Sequence, residues 1–499
     1  MWLNPIELID NILNKITMYR LVLYVLIGFF STALILTFFN LLPFTPGALL
    51  LSLAVILTVS KISNDVFAEV YQAPTNVESV YITALILAFI ISPALTFANL
   101  GLMFWGALIA TSSKYIFAVN RKHLFNPAAF SAAVTAIFLN QSASWWIGNA
   151  YMALPVAFGS FLIIRKIKRQ EMINGFIFTV VLLSLGLGLI KGDSFFSVLN
   201  NLILHSSLLF FSGIMLTEPL TSPTTRNNQF IFGALVGFLF VPQVHIGNIY
   251  FTPEQALIIG NIFAYIVSPK QKLFLKLIRK IRTTPDTYDF LFSPDRNINF
   301  RPGQYLEWTF AHQKPDSRGN RRYFTIASSP TEKEIRIGIK FPPTRSSYKN
   351  ALLNTDHPAL IASQLSGDFT LPENPSEKIA LIAGGIGITP FRSMIKYLTD
   401  TDGKRDIILI YSNKTDTEIA YRDVLDQAAT LGGIRIIYHQ TGVTGHFNRG
   451  NFPGMVPDYT ERLFYISGPH TIVSATENLL KNLGVKPNRI KTDFFPGFV

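Results

Sequence analysis

LIAGGIGITPFRSM, residues 381–394, is the stretch on which the reading of this chain turns. Leu381–Ala383 continues an apolar run that reads as a buried strand. Gly384, Gly385 and Gly387 then make a turn, and a helix begins near Thr389-Pro390. Glycines at those positions let a backbone approach a pyrophosphate as a side chain would not. The amides of a helix start point at negative charge. A lone glycine-rich turn is weak evidence, but one that follows an apolar strand and opens a helix is much stronger. Working outward, KIALIAGG, DIILIYSN and IRIIYHQT are apolar strands separated by helical stretches, the pattern of an α/β unit with a parallel sheet. Upstream, from about Ile278, TYDFLFSP, QYLEWTF and EIRIGIKF alternate with turns between them, which predicts a small antiparallel barrel.

Further motifs surround the glycine turn: RRYFTIAS (Arg321 to Ser328), RSSYKNAL (Arg345 to Leu352), SQLSGDFTLP (Ser363 to Pro372) and LFYISGPH (Leu463 to His470). With them the chain from about residue 278 onward resembles the ferredoxin–NADP reductase superfamily. The resemblance implies that Arg322 neutralises an FAD pyrophosphate. It implies that Tyr323 and Phe324 carry the aromatic part of the flavin signature, and that the Thr325 hydroxyl bonds near flavin N5. Ser346 and Ser347 are implied flavin-phosphate donors. Gly384, Gly385, Gly387, Thr389 and Pro390 cradle NAD(P)H, and Ser467, Gly468 and Pro469 line the nicotinamide. The family usually has cysteine where this chain has Ser467, and tyrosine where it has Phe324. Phe495 or Phe498 in the tail is a further flavin neighbour. Ser412, Lys414 and Arg422 can hold a 2′-phosphate or lie on the surface of an NADH enzyme, so the choice between NADH and NADPH stays open.

The first half of the chain is different. From Leu21 to Ile266 charges are sparse and apolar runs long. A spanning helix needs about 20 apolar residues, and by that rule about ten spans are predicted. They lie near 20–40, 46–62, 80–97, 98–118, 127–140, 145–164, 173–190, 200–216, 230–245 and 252–269. With an inside amino terminus, Arg121, Lys122, Arg165–Arg169, Arg226 and the basic run from Lys270 fall on inside loops, and only Lys191 falls outside. Both termini are therefore expected in the cytoplasm, in a multi-pass inner (cytoplasmic) membrane protein. Two polar loops interrupt the apolar pattern: RKHLFNPAAF (Arg121 to Phe130) and LTEPLTSPTTRNNQFIFGALVG (Leu216 to Gly237). Solvated turns use the same residue types.

On Phe125-Asn126-Pro127-Ala128, Leu216 to Thr221, Thr224-Thr225 and Ile231 to Gly237, the stretch from about 80 to 269 resembles the RnfD/NqrB membrane flavoproteins of ion-pumping oxidoreductase complexes. That resemblance implies an FMN in the bundle, with Asn126, Thr217, Glu218, Thr221, Thr224 and Thr225 beside it. The connection Asn140 to Trp146 is too short to carry the family's flavin-linking threonine, so covalent attachment is not expected. His123, His205 and His245 lie on different segments, which does not suit a bis-histidine haem.

There are no cysteines, which excludes disulfides, thiolate-ligated clusters and a catalytic thiol within these 499 residues. The formal net charge of +12 lies largely at helix ends and beyond, and no basic motif points to nucleic acid. The expected architecture is a polytopic α-helical membrane bundle (1–270), an FAD-binding antiparallel β-barrel (271–372) and an NAD(P)-binding α/β domain (373–499). The expected function is electron transfer from cytoplasmic NAD(P)H through FAD to a membrane FMN. From there electrons go to a quinone or an extracytoplasmic flavoprotein, with lipid and other membrane subunits as partners and no metal. The alternative is a membrane-anchored flavin reductase with a soluble cytoplasmic acceptor, its bundle an anchor or a redox-gated ion transporter.

Overall fold

The computed structural model describes residues 9, 12–13, 16–71, 77–93, 95–119, 122–167, 169–268, 272–312, 316, 320–343, 345–356, 358–430 and 432–495. The chain divides into two compact units, residues 1–271 and 272–499.

The first unit is helical: α1 (Met18–Phe38), α2 (Pro46–Val70), α3 (Val77–Ile90), α4 (Phe97–Ile116), α5 (Pro127–Phe138), α6 (Ala150–Ile167), α7 (Gln170–Ile190), α8 (Phe195–Leu204), α9 (Arg226–Phe240) and α10 (Pro253–Val267). Ten spans are not what forms. Among the described residues four helices, α1, α2, α6 and α7, are long and apolar enough to cross a membrane. A fifth exists if α8 and the segment Leu208–Met215, bent by 59°, count as one span. The rest are cut short by punctuation in the sequence. Asn126 caps α5 and Pro127 opens it, and Asn140 lies just past its end in the left-handed region. Thr252 and Gln255 form a capping box on α10. A 15-residue helix rises only about 22 Å, less than the ~30 Å hydrocarbon core. α4 is 20 residues long but carries Asn99, Thr111, Ser112, Ser113 and Lys114. Glycine lets the helices meet closely. A Cβ on Gly233 would lie 1.9 Å from the Met172 carbonyl oxygen, and one on Gly175 2.3 Å from that of Phe230, so α7 and α9 touch backbone to backbone.

The second unit holds two sheets. β1 (Leu273–Thr284), β2 (Thr287–Pro294), β3 (Tyr305–Phe310), β4 (Arg321–Thr325), β5 (Ile335–Lys340) and β6 (Ala359–Ser366) form an antiparallel sheet of order β4-β3-β6-β1-β2-β5, with α11 (Ser347–Asn354) beside it. Its core packs Phe290, Phe292, Trp308, Ile337 and Tyr348. Next come β7 (Ile379–Gly384), α12 (Thr389–Asp400), β8 (Ile407–Asn413), α13 (Arg422–Ala429), β9 (Ile434–Gln440), β10 (Leu463–Pro469), α14 (His470–Asn482) and β11 (Ile490–Phe495). Their strands make a parallel sheet of order β9-β8-β7-β10-β11. β7 is buried at all six positions and β8 at all seven, as expected of strands covered on both faces. The strand order reverses between β7 and β10, and in open parallel sheets ligands bind in the crevice at that reversal.

Candidate functional site

The glycine turn leaves β7 at this reversal. Gly385 has φ +52, a left-handed conformation, and open space where a Cβ would stand. Gly387 lies hard against β10: a Cβ there would be 2.3 Å from the Ser467 carbonyl oxygen and 2.6 Å from the Gly468 Cα. Gly384 faces the Ile472 side chain at 2.9 Å. So one glycine keeps a surface open, and the other two are set by packing of the turn itself. Thr389 is buried, its hydroxyl donating to the Ile386 carbonyl at 3.2 Å, and Pro390 stands in the first turn of α12. Ser467 is fully buried in register with Ala383. Pro469, at the end of β10, is exposed, and Gly468 packs against the Gly384 backbone.

The barrel is tied to this turn. Arg392 of α12, 2% exposed, donates to the Ala327 carbonyl at 3.0 Å and forms a two-pronged ion pair with Glu332. Ser393 donates to the Ser328 carbonyl at 2.7 Å. A Cβ on Gly338 of β5 would strike Tyr421 Oη at 2.4 Å and Thr389 Cγ2 at 2.9 Å. Tyr421 holds φ +58, costly for a bulky residue, and its hydroxyl donates to the buried Asp289 at 3.0 Å. Burial pushes the Asp289 carboxyl up, against the pull of Arg336 at 2.7 Å. Apart from Thr389, none of these residues was singled out from the sequence. A charge on the apolar face of α12 was the available signal for Arg392.

The expected flavin residues divide. Thr325 is buried at the end of β4, and neither its Oγ1 nor Ser467 Oγ has a hydrogen-bond partner among the described residues. Arg322 pairs with Asp316 at 3.5 Å, donates to the Arg321 carbonyl at 2.6 Å and lies 5.0 Å from the Tyr348 ring centroid. Tyr323 is exposed, its hydroxyl donating to Glu307 at 2.9 Å, and Phe324 lies 6.1 Å from Tyr348. Ser346 caps α11 by accepting from the Lys349 amide. Ser347 Oγ accepts from the Asp316 amide at 2.9 Å and meets His312 Nε2 at 3.1 Å. The two unspent hydroxyls, on strand ends that α12 and the glycine turn join, fit a bound flavin and nicotinamide. Phe498 lies outside the described residues, and Phe495 ends β11.

In the helical unit Glu218 organises the polar loops. It accepts from Asn126 Nδ2 at 2.9 Å and Thr221 Oγ1 at 3.0 Å, and meets His123 Nε2 at 3.2 Å. Asn261 of α10, missed in the sequence, accepts from the Asn126 amide at 2.8 Å and donates to the Thr221 carbonyl at 3.0 Å. Arg169 is buried and donates to Ser222 and to the Pro223 carbonyl. Thr217 bonds back to the Gly213 carbonyl at 2.9 Å, Thr224 meets Ser268 at 3.3 Å, and Thr225 stands at the start of α9 without a side-chain cap bond. Irregular backbone survives at membrane depth when its polar groups are met inside the protein. The cavity beside this cluster, lined by His123, Thr221, Asn261 and Ser268, has a volume of about 20 Å³. That is room for about one water. The six residues expected around FMN are mostly spent on one another or on backbone, and they do not fit a flavin at this cluster.

An antiparallel barrel joined to a doubly wound sheet, with a glycine turn at the strand reversal, is the framework of an NAD-binding oxidoreductase domain. This chain couples that module to a helical region with several apolar helices suited to a membrane. Residues 381–476 match the profile of the oxidoreductase NAD-binding domain, and residues 132–272 match that of the NQR2, RnfD, RnfE family. The chain is 26% identical over 228 residues to the glycine betaine monooxygenase reductase subunit of Chromohalobacter salexigens, covering 42% of this chain and 60% of that protein. It is 25% identical over 238 residues to a flavohemoprotein of Oceanobacillus iheyensis, covering 44% and 58%. The chain thus spans roughly 60% of the length of these relatives. Among solved structures, it is similar to an Amycolatopsis cytochrome P450 reductase, GcoB, with a TM-score of 0.41 and 20% identity, covering 46% of this chain and 72% of that one.

Proposed function

We propose that the protein is a membrane NAD(P)H-dependent flavin oxidoreductase. Its carboxy-terminal unit takes a hydride from NAD(P)H onto an FAD. The electrons then pass to an acceptor in or beyond the membrane, either a quinone or an extracytoplasmic electron acceptor. The observation that carries this is the pairing of the glycine turn at the sheet reversal with the two buried, unpartnered hydroxyls of Thr325 and Ser467. When bound, FAD supplies acceptance of a two-electron hydride and release of single electrons. The chain's part is positional. Thr325 and Ser467 offer donors, Gly385 leaves space for a phosphate, and Arg392 keeps the barrel and α12 in register. The site in the cytoplasm, both termini inside, the three-domain division and the roles of the residues named above belong to this proposal.

A second reading has one observation in its favour. The cavity beside the Glu218 cluster has a volume of only about 20 Å³, too small for an FMN, so the helical unit would serve as an anchor. Anaerobic titration of the detergent-purified chain with NADH and NADPH, with flavin extraction, separates the two. FAD that bleaches and is reoxidised by a quinone supports transmembrane transfer. FAD that bleaches but passes electrons only to soluble acceptors supports the anchor. Protein that binds no FAD, or FAD that neither nucleotide bleaches, overturns the reductase reading.

The unspent hydroxyls give a further test. Ser467→Ala and Thr325→Val remove buried hydroxyls that have no hydrogen-bond partner among the described residues, so the ligand-free melting temperature should hold or rise. Flavin reduction should slow by about tenfold, in line with loss of one hydrogen bond of about 1.4 kcal/mol. A drop in melting temperature with an unchanged rate would make these hydroxyls structural.

A further inference from the structure

In doubly wound sheets the adenosine ribose lies past the carboxyl end of the strand that follows the glycine turn. An acidic side chain there bonds a 2′-hydroxyl, whereas an arginine accommodates a 2′-phosphate. Here that strand is β8, which ends at Asn413, and Asp416 follows in the single turn Asp416–Glu418. Of the groups available to a 2′-phosphate, two are already committed. Ser412 is buried, its hydroxyl 3.4 Å from His439 Nδ1. Arg422 donates to Asp416 Oδ1 at 2.5 Å, and its guanidinium lies 5.0 Å from the Tyr438 ring centroid. Tyr438 is itself fixed by donating to Asp426 at 2.6 Å. Gln440 at the end of β9 also donates to Asp416 Oδ1, at 3.2 Å. Both contacts fall on the same oxygen, and a carboxylate accepts on its second oxygen as well. Lys414 brings a point charge without the paired fork that grips a phosphate. The charges of Asp416 and Asp426 both act on Arg422.

Resting on the reductase reading above, we infer that the site takes NADH in preference to NADPH and that the Asp416–Arg422 pair makes the selection. Asp416 holds Arg422 and accepts from the ribose 2′-hydroxyl. A 2′-phosphate meets a carboxylate, and gains Arg422 only by breaking its ion pair.

The test is turnover of the full-length, detergent-solubilised protein with ferricyanide as acceptor. For the unsubstituted protein, kcat/KM for NADH should exceed that for NADPH by at least about 100-fold, the scale of a like-charge juxtaposition. Asp416→Ser should narrow the ratio by at least about tenfold, because Arg422 is released to make a charge-assisted pair with the phosphate. The change should lie in KM, higher for NADH and lower for NADPH, with each kcat held within about twofold. Comparable kcat/KM for the two nucleotides, a preference for NADPH, or an unchanged ratio in Asp416→Ser overturns the selection while leaving the reductase reading intact. An equal loss of kcat with both nucleotides in the variant also overturns it, since Asp416 then acts on folding. Failure of both nucleotides to reduce the bound flavin overturns the reductase reading itself.

Discussion

Gly387→Ala should reduce NAD(P)H-dependent flavin reduction by about 100-fold, the scale of an ångström-sized displacement in a catalytic site. The new methyl would stand 2.3 Å from the Ser467 carbonyl oxygen and 2.4 Å from its carbon. Both are backbone atoms in the middle of a parallel sheet, so neither can swing aside as a side-chain tip does. The turn must lift from β10, and the crevice where the strand order reverses changes shape. Overpacking of this kind also costs about 1–3 kcal/mol of stability. The neighbouring glycines serve as controls. Gly384→Ala meets side-chain atoms of Ile472, Cδ1 at 2.9 Å and Cγ2 at 3.1 Å, in place of backbone, and should be milder. Gly385→Ala finds open space and bears only the left-handed backbone, about 1–2 kcal/mol. Stopped-flow reduction and thermal melting of the three variants would check the order. If Gly387→Ala reduces its flavin at the normal rate, the crevice between β7 and β10 is not where the nucleotide binds.

Arg392→Ala should destabilise the carboxy-terminal unit by about 3–5 kcal/mol, the cost of removing one member of a buried ion pair. The loss is large because Arg392 serves two partners, the Glu332 carboxylate and the Ala327 carbonyl. Burial tends to raise the Glu332 carboxyl, but the bonds and charge of Arg392 hold it below its ordinary value of 4.5. A carboxyl depressed in the folded state contributes stability above its unfolded pKa and loses it as the pH falls through the folded one. The pair therefore stabilises the fold at neutral pH and fails in acid. Arg392→Ala should flatten that acid limb as well as lower the whole curve. The double variant Arg392→Met with Glu332→Leu should recover part of the loss, since an apolar pair strands neither charge, while the Ser329 amide still loses its Glu332 acceptor. Denaturant titrations of the unsubstituted protein, Arg392→Met, Glu332→Leu and the double variant form a double-mutant cycle that measures the coupling. Additive losses would mean that the two side chains act separately.

Some of this protein could be read directly from the order of its residues. The glycine turn, the alternating strands of β2, β3 and β5 and the apolar strands β7, β8 and β9 all lie where local pattern puts them. Hydrophobic period and glycine punctuation are properties of neighbours in the chain. The helical unit was harder. Apolar composition extends through Ser92-Pro93 and Val241-Pro242, so counting apolar residues carried the predicted spans past the points where the helices end. Ten spans became four or five for that reason. The polar cluster was legible as a set of residues but not as a structure. Glu218, Asn126 and Thr221 were in view, while Asn261, 43 positions past Glu218, was not.

What the sequence by itself determined was therefore the kind of module present and the chemistry it offers: a glycine turn after a buried strand, serine and threonine at the strand ends, and a helical region too apolar for water. Which groups were still available for that chemistry was decided only by tertiary structure. Thr325 and Ser467 emerge with unused hydroxyls, while Ser346, Ser347, Thr217 and Thr221 are already bonded. Arg422 is committed to Asp416 and Arg392 to Glu332. A side chain's capacity to bind something else depends on what the fold has placed beside it, and pairings across tens of residues leave no trace in local pattern.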